Sequence, residues 1–167
     1  VAHTAPAAPP RGPVARLAGA LMGGGSLLLL ATALLTTASV LRRWLAGQPV
    51  PGDFELVQMG AGIAVFGFLA HGTLAGSHIL VDSFTTWLPP RLQAAIDAFW
   101  NLVWGLVALA LAWRMALGAL EAAASDTRSM VLAVPIWPGI GLGALGFLAT
   151  ALAAGLAAQR LLKRRAA

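Results

Sequence analysis

Between Arg16 and Arg42 the chain runs through residues 17–41, 25 positions, without a charge. Coiled as a helix, that stretch reaches about 37 Å and crosses a hydrocarbon core of about 30 Å. Three further long, predominantly apolar runs follow. Of the 167 residues 59% are hydrophobic and 10% charged, and the mean hydropathy is +0.81. A soluble domain of this size cannot enclose that much apolar surface in one core, so lipid is the solvent. Arg11 and Arg16 would suit the positive flank of a signal peptide, but the run far exceeds an h-region of about 7–15 residues and reads as an uncleaved anchor.

The rest of the chain follows the same pattern. Residues 1–13, VAHTAPAAPPRGP, are Ala- and Pro-rich without periodicity and read as a disordered tail; 163–167 form a basic tail, and 14–162 make one transmembrane domain. RRWLAGQPVPGD supplies turn residues Pro49, Pro51 and Gly52, and Asp53 is placed to cap a second span over 56–76, with Glu55 adding negative charge in its first turn. A third helix opens at Pro90 and runs to residue 124. Asp97 and Arg114 leave only 16 uncharged residues between them, about 24 Å of helix, so at least one lies at the hydrocarbon edge, where Arg114 can snorkel. Pro138 suits the first turn of a fourth helix over 138–159, about 33 Å, preceded by an irregular LAVPIW that contains Pro135 and sets Trp137 at the interface. Between the second and third spans, Ile79, Leu80, Phe84, Trp87 and Leu88 share one face opposite Asp82, Ser83, Thr85 and Thr86, which predicts a short interfacial helix stopped by Pro89 and Pro90. The predicted fold is an all-α integral membrane protein with four transmembrane helices and that short interfacial helix.

Composition excludes several chemistries. Without cysteine there are no disulfides, thiolate metal sites or thiol nucleophiles, and GxxxxGK[ST], HExxH and GxSxG are absent. The basic residues sit at the ends of apolar runs rather than in an aromatic-interleaved patch, which argues for topology and against nucleic acid. With both termini cytoplasmic, that side holds Arg11, Arg16, Arg91, Arg160, Lys163, Arg164 and Arg165 against Arg42, Arg43, Arg114 and Arg128 outside. Gly19 with Gly23, Gly72 with Gly76, and Gly139 with Gly143 give small-xxx-small spacings and predict a packed bundle.

Few side chains invite a site reading. Asp97 has Gln93 and Asn101 four residues away as hydrogen-bond partners at a solvated edge. Arg114 has only Ala110, Leu111, Leu117 and Gly118 at three and four residues, so its partner is a headgroup, another helix or another protein. His71 and His78 lie seven apart on one helix face and motivate a haem- or quinone-bearing anchor of an oxidoreductase. Two ligands about 10 Å apart on one helix cannot clamp one iron, which favours a hydrogen-bonded His71.

Taken together, VPGDFELVQ at 50–58, SHILVDSFTTWLPPRLQAAID at 77–97 and VPIW at 134–137 resemble the small, DctQ-like membrane subunit of tripartite ATP-independent periplasmic (TRAP) transporters, over about residues 15–162. In that family the linker is Gly-His-Ile-x-Val-Asp followed by Leu-Pro and a basic residue. His78, Ile79, Val81, Asp82, Leu88, Pro89 and Arg91 occupy those positions here, with Ser77 in place of the glycine and Leu80 where a polar residue is common. The resemblance implies a bacterial inner-membrane protein that catalyses nothing and binds no cofactor itself. Its partners would be a large multi-span subunit carrying substrate and sodium, and a periplasmic binding protein that captures organic acids. The small subunit of another tripartite carboxylate transporter is the neighbouring alternative. Asp82, by its place in the motif, either holds the linker by capping a turn or pairing with Arg91 or His78, or contacts the moving parts of a partner.

Overall fold

The computed structural model describes residues 12–75 and 88–163. These form four helices: α1 (Pro13–Ala46), α2 (Asp53–Ala75), α3 (Pro90–Ala124) and α4 (Trp137–Lys163), each long and apolar enough to cross a membrane. The four predicted spans are all present. α1 is longer than its uncharged run at both ends, because leucine- and alanine-rich sequence carries the helix past Arg16 and past Arg42 and Arg43 until Gly47, whose N–H returns to the Arg43 carbonyl at 2.9 Å. α4 starts one residue earlier than predicted, with Pro138 in its first turn. The interfacial helix predicted over 79–88 falls mostly outside the described residues.

The interior is built from small side chains. α1 buries Ala18, Gly25, Thr32 and Ser39, one every seven residues, and α2 buries Gly60, Ala64, Gly67, Ala70 and Thr73. A seven-residue repeat keeps one stripe facing a neighbouring helix over many turns. Meanwhile Leu27, Leu34, Trp44, Phe54, Trp113 and Leu120 are exposed. Such a distribution would be unstable in water. In a bilayer it is the expected one, since lipid solvates leucine as well as a protein core does, and helices gain most by bringing their backbones close.

α1 and α2 run antiparallel, α2 and α4 parallel, and α4 packs along an antiparallel α3. A Cβ on Gly67 would stand 2.4 Å from the Leu21 carbonyl oxygen, and one on Gly25 3.0 Å from that of Ala64, so the α1–α2 seam is backbone on backbone. Phe66 fills the α2–α4 seam, its ring over Gly143 and its backbone against Gly146, with the Phe147 ring 5.3 Å away. α4 touches all three other helices, whereas α3 approaches neither α1 nor α2 along the backbone. The arrangement is a three-helix cluster of α1, α2 and α4 with α3 laid against α4. The Trp104 side chain bridges the gap, as its Nε1 donates to Thr73 Oγ1 at 3.2 Å while that hydroxyl donates to Leu69 O. Trp104→Phe is expected to lower stability by about 0.6 kcal/mol, the usual worth of an interhelical hydrogen bond in lipid, read as a fall in the denaturation midpoint in detergent.

The glycine spacings singled out in the sequence are used only in part. Gly19, Gly23 and Gly72 have nothing within 4 Å of where a Cβ would stand, whereas Gly143, Gly25 of the GGGS run at 23–26, where glycines are expected to let another helix come close, and the unpredicted Gly60, Gly67 and Gly146 make the close approaches. Spacing identifies a face on which small residues recur; the partner helix decides which of those faces is covered.

Candidate functional site

At one end of the molecule the α1–α2 and α3–α4 connections meet. The first contains VPGD, in which Asp53 N–H returns to Val50 O at 3.2 Å and Gly52 has φ 72. That geometry, with Pro51 and Gly52 at the two central positions, is a type II turn, where the second central residue needs positive φ. Space demands glycine there as well, since a Cβ on Gly52 would stand 2.3 Å from Leu132 Cγ.

Asp53 does not serve as the predicted cap. The first helical hydrogen bond of α2 runs from Leu56 N to Gly52 O, so Asp53 is already helical, and its carboxylate accepts from the Ser39 hydroxyl and, at 2.7 Å, from Phe54 N. Ser39 in turn accepts from Val50 N at 3.1 Å. Ser39 thereby ends the buried α1 stripe with both of its hydrogen-bonding functions used. Glu55, expected only to add first-turn charge, reaches across to the other connection: its two oxygens accept from Val131 N at 2.7 Å and Leu132 N at 3.0 Å.

The α3–α4 connection is a small hairpin. Ser129 N donates to Val134 O at 2.9 Å, Val134 N to Ser129 Oγ at 3.2 Å, and Ile136 N to Thr127 O at 3.3 Å, beside an isolated bridge between Arg128 and Pro135. Arg128 pairs with Asp126 at 3.1 Å and touches Ala133 O at 3.4 Å. Donating hydrogen bonds to the Asp126 carboxylate, and then the charge of that carboxylate, raises the Arg128 pKa further. An ion pair this exposed adds little stability, so the hairpin depends on its backbone bonds and on Glu55.

Among the described residues the predicted site residues do not converge. Pro135 is half-buried in the hairpin, and Trp137 opens α4 at the same end, 47% exposed, on an apolar groove of about 580 Å³ between α3 and α4. Arg114 is exposed on α3, with no ion pair to another described residue. Asp97 lies near the opposite end of α3, half-buried, and its carbonyl accepts from Asn101 Nδ2 at 2.8 Å. Pro89 is extended at φ −60, ψ 144 just before α3, and Arg91 falls in the first turn of that helix. His71 is half-buried on α2. His78, Ile79, Val81 and Asp82 lie outside the described residues. Sequence reasoning missed the clustering of Ser39, Asp53 and Glu55. The available signal was VPGDFE itself, two carboxylates at a membrane edge beside a turn.

Small-residue seams, an apolar exterior and side-chain-to-backbone bonds that tie both connections at one end define a multi-pass helical membrane protein. A family profile described as tripartite ATP-independent periplasmic transporters, DctQ component, matches residues 32–164. That is most of the chain, which belongs to this family and is a small TRAP transporter subunit, as the linker and turn motifs led one to expect. No curated protein and no solved structure matches the chain.

Proposed function

We propose that this subunit is a fixed brace in a sodium-coupled organic-acid importer of the bacterial inner membrane. It catalyses nothing and binds no cofactor; the large subunit carries substrate and sodium, and a periplasmic binding protein delivers the acid. The observation that carries the reading is the inverted packing. Ala, Gly, Ser and Thr are spent on holding four helices to one another, while many leucines, with Trp44, Phe54, Phe99, Trp100 and Trp113, face outward. A rigid body with an apolar exterior suits a part that the moving subunit bears against. Orientation follows from charge. The end with Arg42, Arg43, Arg114 and Arg128 has the fewer cations, four, and faces out, while the other end, with its seven basic residues, faces the cytoplasm.

Deleting this chain while retaining the large subunit and the binding protein is expected to abolish organic-acid uptake, measured with labelled substrate in cells or proteoliposomes under a sodium gradient. Uptake at the undeleted rate would refute the brace.

A further inference from the structure

The hairpin tip over 130–132 carries Met130, 99% exposed, and Val131, 64% exposed, at the end of a polar connection. Two features set it apart from a loop that projects into water. The first is depth. Glu55 holds the tip at the level of the first turn of α2, one residue before the uncharged run that begins at Leu56, and Leu132 sits against Gly52 of the neighbouring turn. Ser39, two residues before the uncharged run of α1 ends, is bonded into the same turn. Met130 and Val131 therefore lie where the hydrocarbon edge meets the headgroups, in company with the exposed Phe54 of α2.

The second feature is the backbone. Four of the six N–H groups of the 129–134 hairpin, those of Ser129, Val131, Leu132 and Val134, are bonded within the protein, and Pro135 has none to satisfy. A loop in water has no need to bond such donors internally, because solvent can take them. Irregular backbone at membrane depth has to satisfy them internally, because an unmatched donor there costs several kcal/mol. From depth and donor satisfaction together we infer that the 129–134 hairpin is a lipid-interface anchor. It seats Met130 and Val131 in the headgroup–acyl boundary of one leaflet, and Glu55 sets its depth. A protein surface covering the tip is the competing occupant. It would account for the apolar side chains but gives no reason for the tip to be held down at the bilayer edge. The inference needs only that the four helices span a bilayer and is independent of what is transported.

The chain has no cysteine, so a single Met130→Cys variant of the full chain can carry an environment-sensitive fluorophore in phospholipid nanodiscs. Expected are blue-shifted emission compared with the same label at Asp126→Cys, strong quenching by headgroup-spin-labelled lipid, and little quenching by aqueous iodide. Quenching by iodide as strong as at position 126 would overturn the inference, and so would shielding from both quenchers, which would mean that protein covers the tip. Adding Glu55→Gln is expected to shift the balance toward iodide by freeing the tip. Unchanged quenching in that double variant would overturn the role given to Glu55.

Discussion

Valine at position 67 is expected to force α1 off α2. At Gly67 even a first side-chain carbon would stand 2.4 Å from the Leu21 carbonyl oxygen, a backbone atom that cannot rotate away, and 3.7 Å from Gly25 Cα. Overpacking of this kind costs about 1–3 kcal/mol for a methyl group and more for a branched side chain. Gly67→Ala should therefore lower the denaturation midpoint in detergent, and Gly67→Val should lower it further. The internal control is Gly23→Ala, where the added carbon meets open space and the change should stay within about 0.5 kcal/mol. Equal midpoints for Gly67→Ala and Gly23→Ala would show that the α1–α2 seam is not the close contact described above.

A larger loss is expected from Gly146→Val. The added Cβ would stand 2.7 Å from Phe66 Cβ and 3.1 Å from Phe66 O, and Phe66 has no room to retreat because its ring is wedged over Gly143 and beside Phe147. The clash also falls on the helix that contacts every other helix. Parting α1 from α2 leaves α4 attached to both; parting α4 from α2 also loosens the lever on which α3 depends, since α4 is the one helix whose backbone α3 approaches and the Trp104–Thr73 hydrogen bond is a thin tie to α2. The expected result is destabilisation beyond the upper end of about 3 kcal/mol, together with reduced co-purification of the large subunit in mild detergent. Gly155→Ala on the same helix, with nothing within 4 Å, is expected to leave both measurements unchanged. Loss of the partner with Gly155→Ala would assign the effect to the outer face of α4 and not to its seam.

Both predictions rest on glycines that spacing alone did not select. Gly19 with Gly23 and Gly72 with Gly76 had the same small-xxx-small signature as Gly60 with Ala64, yet Gly19, Gly23 and Gly72 face open space while Gly60 and Ala64 are buried. In a water-soluble helix the buried face is marked by apolar residues and the outer face by polar ones. Here Ala18 and Gly25 face a helix while Leu27 and Leu34 face outward, and both sets are apolar, so no periodicity in hydrophobicity separates them. The end clusters were more legible. VPGDFE announced a turn and two carboxylates at a membrane edge, and Pro135 and Trp137 announced an irregular entry to α4. That Asp53 bonds Ser39 and that Glu55 holds the hairpin 76 residues further along depends on two connections arriving side by side.

What the amino-acid order decides unaided is the solvent, the number of crossings and the positions of the breaks. Each follows from local quantities: the length of an uncharged run against the thickness of a bilayer, and the backbone limits of proline and glycine. The folded arrangement alone decided that α4 lies at the centre, that α3 leans on it without reaching α1, and which small residues let backbones touch. The reason is physical. Lipid and protein interior are nearly equivalent surroundings for an apolar side chain, so the choice between them is made by the shape of the facing helix, which no single segment contains.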